Sequence, residues 1–202
     1  MKVNYKVFMV TGGGNGLGRE LVLNLLHKEC KVVAVDKSKS ALEETERLAG
    51  KYAETLIKVE ADITDEVAMK NLLENMEYQF DGIDGVINNA GIIQPFKTIH
   101  DIDFDSIDRI FNINFKGTLN IIKIFLPSLL KQPQAHIVNV SSMGGFIPVA
   151  GQVIYGASKA AVKISYIWGV ISEGAGRESR RGAGRDSGRN HANRRIDLLF
   201  QS

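Results

Sequence analysis

The sequence predicts an α/β protein, a doubly wound parallel sheet with helices on both faces. Short apolar runs rich in β-branched residues recur along the chain, and longer amphipathic stretches of helical spacing separate them. A glycine-rich segment also stands between the first run and the first amphipathic stretch, where a parallel sheet turns from strand to helix.

In chain order, the first strand is KVFMV at 6–10, followed by TGGGNGLG at 11–18. The helix after it shows Leu17, Leu21, Val22, Leu25 and Leu26 on one face. KVVAV at 31–35 is the second strand, and the next helix is marked by Leu42, Thr45, Leu48, Ala49 and Tyr52. TLIKVEA at 55–61 is the third strand, followed by a helix carrying Met69, Leu72, Leu73 and Met76. GVIN at 85–88 and HIVNV at 136–140 are the fourth and fifth strands. Between them the pattern predicts one long helical stretch from about Asp105 to Leu130, and a further helix opens near Val153.

With 202 residues, 44% hydrophobic and 24% charged, the composition is that of one globular domain, expected over 1–171. That part is near neutral, with 18 Lys+Arg against 19 Asp+Glu, whereas 172–202 carries 7 against 4. Cys30 is the single cysteine, and the N-terminus reaches its glycines too soon for a signal-peptide apolar region, so a reducing, cytoplasmic setting is expected. LNIIKIFLPSLL is interrupted by Lys123 and Pro127 and is too short to span a bilayer, so no membrane span is expected. His27, His100, His136 and His191 show no metal-ligand spacing, and no GxSxG element points to a hydrolase.

The glycine loop can bring backbone close to a diphosphate, which the N–H groups and dipole of the following helix would favour. Asp36 ends the second strand, where a carboxylate can accept from both ribose hydroxyls and repel a 2′-phosphate. This predicts NAD over NADP, although Lys37 stands beside it. Asp62, after the third strand, and NNAG at 88–91, after the fourth, place polar and small groups at the carboxyl edge, where such sheets bind ligands. YGASK at 155–159 puts Tyr155 and Lys159 on one helical face, and a nearby ammonium favours a phenolate. HIVNVSSMGG ends the fifth strand with two serines whose hydroxyls could polarise the same substrate oxygen.

Together these motifs resemble the short-chain dehydrogenase/reductase family over about residues 5–170. TGGGNGLG fits the family's TGxxxGxG loop, NNAG matches as it stands, YGASK fits YxxxK, and NINFKG supplies the family's NxxG asparagine. The resemblance implies a Rossmann-like fold and hydride transfer between a nicotinamide cofactor, NAD rather than NADP, and an alcohol or ketone. It implies Tyr155 as general acid/base and Ser142, 13 residues before it, as the residue that orients the substrate oxygen. Lys159 would favour the phenolate and hold the ribose, and Asn114 would support a proton relay. Cofactor contacts are implied for Gly12, Asn15, Gly16, Leu17, Gly18, Asp36, Asp62, Ile63, Asn89, Ala90, Gly91, Tyr155 and Lys159. Phe146, Ile147, Pro148 and Val149 offer an apolar wall that suits a hydrophobic substrate. Family members pair through the helices that correspond to about 105–130 and 153–171, which implies a homodimer or homotetramer; Ile121, Ile122, Phe125 and Leu126 extend beyond one helix face, either as a pairing surface or as cover for the sheet.

The family continues with a sixth strand, a Pro-Gly motif, a substrate-covering loop and a seventh strand, and residues 172–202 do not read as any of them. No Val, Ile, Leu, Met, Phe, Tyr or Trp lies between Ser172 and Arg195, and 15 Lys with 3 Arg before residue 172 give way to 0 Lys with 7 Arg. The C-terminal part of the fold is therefore expected to be missing, and the tail to be an out-of-frame or aberrant terminus. The alternatives are a disordered basic tail that touches nucleic acid or anionic lipid, and a solvated tail without a partner.

Overall fold

The computed structural model describes residues 2–164, so the segment 172–202 and the expected continuation of the last helix to 171 lie outside the described residues. Five strands form one parallel sheet: β1 (Val7–Thr11), β2 (Lys31–Asp36), β3 (Leu56–Glu60), β4 (Gly85–Asn88) and β5 (His136–Asn139). Each matches its sequence-predicted run to within a residue or two. The spatial order is β3-β2-β1-β4-β5. The chain winds outward from β1 to β3, then returns to the other side of β1, so a crevice opens beyond the carboxyl ends of β1 and β4. This is the Rossmann-like doubly wound sheet that the sequence predicts.

Among the described residues six helices accompany the sheet: α1 (Gly16–Leu26), α2 (Lys39–Ala49), α3 (Glu66–Phe80), α4 (Phe104–Phe111), α5 (Thr118–Leu129) and α6 at 153–164. Alternation along the strands sends neighbouring side chains to opposite faces. Val10, Val32, Ala34 and Ile87 pack with Val22, Leu25, Leu26 and Leu42 of α1 and α2. Met9, Val33, Val35, Val86 and Ile137 pack with Met69, Met76, Ile121, Phe125 and Leu129 of α3 and α5. Each large side chain so buried contributes on the order of 1.5–3 kcal/mol by leaving water. Helix starts are fixed by side-chain caps: Ser38 accepts from Ala41 N, Asp65 from Val67 N and Ala68 N, and Asp103 from Ser106 N.

The structure corrects the sequence reading at three places. The helix expected over 105–130 is divided by a π-helical step, Asn112–Gly117, between α4 and α5. Tyr52 belongs to a 3-10 turn, Gly50–Thr55, that follows α2 rather than to α2 itself. Leu17 and Leu48 are 53% and 45% exposed, so neither joins the core face assigned to it. Of the four residues read beyond one face of α5, Ile121 and Phe125 are fully buried and Ile122 and Leu126 partly buried against the core, as in the sheet-covering alternative. No helix among the described residues is long and apolar enough to cross a membrane.

Candidate active site

At the mouth of the crevice, β1 and β4 are tied together by Thr11. Its Oγ1 accepts from Asn89 N and Ala90 N, each at 3.1 Å, while Asn89 Nδ2 donates to the Thr11 carbonyl at 3.1 Å. The glycine loop is compressed behind this joint. A Cβ on Gly18 would lie 1.9 Å from the Gly12 carbonyl oxygen, and one on Gly14 would lie 2.9 Å from Asp36 Oδ2. Gly16 is the opposite case: it has φ +49 and open space where a Cβ would stand. Asn15 caps α1 by accepting from Gly16 N at 2.8 Å, and the first intrahelical bond runs from Arg19 N to Asn15 O. The N–H groups of Leu17 and Gly18 therefore precede the helical ladder. A bare backbone in front of such N–H groups can hold a diphosphate, and the exposed Leu17 side chain borders the same opening.

Asp36, at the end of β2, accepts from Gly14 N through Oδ2 and from Ser38 N through Oδ1, both at 3.0 Å. Its oxygens retain lone pairs for further donors. Lys37 turns away to pair with Asp62, Nζ to Oδ2 at 2.8 Å, while Thr64 donates to Asp62 Oδ1 from its amide and hydroxyl. Burial works to raise the Asp62 carboxyl, but the bonds from Lys37 and Thr64 outweigh it and hold the group below the ordinary carboxylate value. Ile63 is buried; Gly117 lies against it, and its carbonyl accepts from Asn120 Nδ2 at 2.8 Å. Its side chain is committed to packing.

The two serines after β5 diverge. Ser141 Oγ donates to the Lys159 carbonyl at 3.0 Å, and Ser142 Oγ accepts from Gly144 N at 3.2 Å. A Cβ on Gly144 would sit 3.6 Å from Ser142 Oγ and 3.7 Å from Tyr155 Cδ1 and Cε1, so the Ser142 hydroxyl and the Tyr155 ring flank the same glycine. One helical turn on, Lys159 is 5% exposed, and its Nζ donates to the Val140 carbonyl at 2.9 Å. Burial lowers this ammonium from 10.5 to about 8. Gly91 brings the neighbouring loop in: a Cβ there would lie 3.3 Å from Lys159 Nζ and 3.1 Å from Asn114 Oδ1.

Asn114 sits fully buried in the π-helical step. Its Oδ1 accepts from Ile92 N at 2.8 Å, and its Nδ2 donates to the Ile92 carbonyl at 2.9 Å and to Ser158 Oγ at 3.0 Å. The structure thus gathers Ser142, Tyr155, Lys159, Asn114 and Gly91 at one end of the sheet, with Gly12, Asn89 and Ala90 at the adjoining crevice. Four supporting residues escape sequence reasoning. Arg19 donates to the Gly14 carbonyl and to Thr45, and the wholly buried Thr45 hydroxyl lies 3.1 Å from the Gly13 carbonyl oxygen. Ser158 joins Asn114 to the Tyr155 carbonyl, and Gln94 bonds the Tyr155 amide. Ser158 lies inside YGASK and Thr45 on a predicted helix face, but neither position assigns a partner; Gln94 offered a further signal as a polar residue set between Ile93 and Pro95 in an apolar run.

Residues 6–165 match the short chain dehydrogenase family. An uncharacterized oxidoreductase of Staphylococcus aureus strain MRSA252 is 37% identical over 159 residues, covering 78% of this chain and 67% of the relative. The structure is similar to that of NAD+-bound xylitol dehydrogenase, with TM-score 0.76 and 29% identity over 80% of this chain and 62% of that one. It is also similar to levodione reductase, with TM-score 0.74 and 28% identity over 79% of this chain and 62% of that one. The chain thus spans about three fifths of the length of these solved structures. From the glycine loop to the helix of Tyr155 and Lys159, the match covers the whole of the site described, and the chain belongs to the short chain dehydrogenase family of oxidoreductases.

Proposed function

We propose that this chain binds NAD(H) in preference to NADP(H) and transfers hydride between the nicotinamide and the carbon of an alcohol or ketone. The observation that carries the reading is that the Ser142 hydroxyl and the Tyr155 ring flank Gly144, one helical turn from the buried Lys159 ammonium. When bound, the nicotinamide ring supplies or receives the hydride. The bare glycine loop and the N-terminus of α1 suit the diphosphate, and the remaining lone pairs of Asp36 suit ribose hydroxyls. Asp36 disfavours a 2′-phosphate, and the cation next to it, Lys37, is paired with Asp62.

In this reading Tyr155 Oη gives its proton to a ketone oxygen or takes one from an alcohol. Ser142 Oγ holds that oxygen, and the Lys159 ammonium, largely protonated at neutral pH, stabilises the phenolate left behind. Asn114 fixes the loop at Ile92 and, through Ser158, the backbone of Tyr155. The rim next to Ser142 is apolar: Phe146, Ile147 and Val149 are 49%, 56% and 44% exposed, which suits a hydrophobic substrate.

Fluorescence titration with NADH and NADPH, followed by a screen of hydrophobic alcohols and ketones, tests the proposal. Tyr155→Phe keeps the ring and removes the proton-transfer oxygen, so turnover should fall about 10²- to 10⁴-fold while NADH affinity stays within a few-fold. Tighter NADPH binding or a fully active Tyr155→Phe variant would overturn it. NADH binding with no turnover across the screen would identify a non-catalytic dinucleotide-binding protein instead.

A further inference from the structure

Gln94, three residues beyond Gly91, is 2% exposed and spends its whole carboxamide on the chain segment around the start of α6. Its Oε1 accepts from Tyr155 N at 2.8 Å, and its Nε2 donates to the Gly151 carbonyl at 2.9 Å. The bond is returned from the other side: Gln152, itself 4% exposed, donates from Nε2 to the Gln94 carbonyl at 3.3 Å. Lys97 N also donates to the Gly151 carbonyl, at 3.4 Å. The two loops are therefore sewn together through side chains and backbone at once.

The position of the Tyr155 amide gives this clasp its meaning. The first intrahelical bond of α6 runs from Gly156 N to Gln152 O at 2.8 Å, so the N–H groups at 153, 154 and 155 lie outside the ladder. Helices usually satisfy such groups with a local Ser, Thr, Asp or Asn; here the acceptor is a buried glutamine from a loop 61 residues away. The same loop is held at its other end by Asn89, on Thr11 and Gly12, and in its middle by Ile92, on Asn114. Residues 89–94 thus form a strap from the nucleotide crevice to the first turn of α6.

We propose that Gln94 is a positioning residue for Tyr155, holding the first turn of α6 in register with the loop that borders the nucleotide crevice. The catalytic consequence rests on the reading of Tyr155 as the proton-transfer group; the mechanical role does not. A phenol at the end of a long side chain magnifies any tilt of the backbone that carries it, and a misplacement of about 1 Å can cost on the order of 100-fold in rate.

Two near-isosteric variants of the full chain provide the test, read by amide hydrogen exchange residue by residue. Gln94→Met keeps the volume and removes both bonds, so the Tyr155 amide should exchange at least tenfold faster while Met9 and Val33 in the sheet keep their protection. Gln94→Glu keeps an oxygen for Tyr155 N and, when protonated, a donor for the Gly151 carbonyl, so in exchange run at acidic pH it should restore most of that protection. Unchanged Tyr155 exchange in Gln94→Met, equal loss in both variants, or loss spread over the whole sheet would each overturn the proposal. Turnover is measured in parallel: kcat in Gln94→Met should drop ten- to a hundredfold with NADH affinity within twofold of the parent. Absence of turnover in the unmodified chain would count against the proposed function, and the exchange measurement alone would then decide the role of Gln94.

Discussion

Asn114 Nδ2 donates to Ser158 Oγ at 3.0 Å, which joins the π-helical step between α4 and α5 to the helix that carries Tyr155 and Lys159. Ser158 passes the link on, donating to the Tyr155 carbonyl at 2.7 Å. Asn114→Leu would leave Ile92 N, the Ile92 carbonyl and Ser158 without this partner inside the protein. Unsatisfied buried groups cost about 1–3 kcal/mol each, part of which relaxation recovers. The expected loss is therefore about 2–4 kcal/mol, against about 1 kcal/mol for Ser158→Ala, both measurable by urea unfolding. Equal stabilities for parent and Asn114→Leu would show that the step is not held by this side chain.

Two glycines of one loop should respond to alanine in opposite ways. At Gly18 the new methyl would enter the Gly12 carbonyl at 1.9 Å, so the loop must move and NADH affinity should fall at least tenfold. At Gly16 the methyl meets open space, and the cost to folding is only the left-handed backbone, about 1 kcal/mol. NADH titration together with thermal unfolding separates the two; a Gly18→Ala variant that binds as the parent does would refute the crowding argument.

Burial of Lys159 has a signature in stability against pH. The folded state releases this proton at about 8, whereas the unfolded chain keeps it up to the ordinary value of 10.5. Between those values the unfolded state binds more protons, so unfolding free energy should rise with pH, by on the order of 3 kcal/mol across the window, and stay flat below it. Other groups titrate there too, so the measurement is the difference between parent and Lys159→Met in urea unfolding from pH 7 to 10.5. Parallel curves would contradict the assignment.

On the proposed reading Asp36 has two tasks that one substitution can separate. Asn at this position can still accept from Gly14 N but gives up the exposed bond from Ser38 N, so the loop should hold while the negative charge disappears. Asp36→Asn should therefore narrow the proposed preference for NADH over NADPH about tenfold, with a loss of stability of about 1 kcal/mol or less. An unaltered ratio in paired titrations would mean that cofactor choice lies elsewhere.

The five strands and the glycine loop are legible because β-branched runs and crowded turns are local properties. The serine pair is legible only in part: spacing selects Ser142, but that Ser141 would turn to the Lys159 carbonyl is a tertiary fact. The π-helical step at Asn112–Gly117 is invisible to periodicity because apolar spacing continues on either side of it. Leu17 and Leu48 obey helical spacing and yet stay exposed, since spacing defines a face without saying how much of it the sheet can cover. Gln94, Gln152, Thr45 and Arg19 carry no motif, and their partners lie in other loops or helices, so only the fold reveals them.

A π-helical turn holds one residue more than the α-helical turn it replaces, so the segment Asn112–Gly117 amounts to a single-residue insertion accommodated inside a long helix. Removing one residue there would let the helix close into a regular one, but it would turn Asn114 by about 100° away from Ile92 and Ser158 and give up the bonds that hold them. The irregular turn is thus kept by the side chain it presents, and a shorter, smoother helix would have nothing to tie the loop to Tyr155.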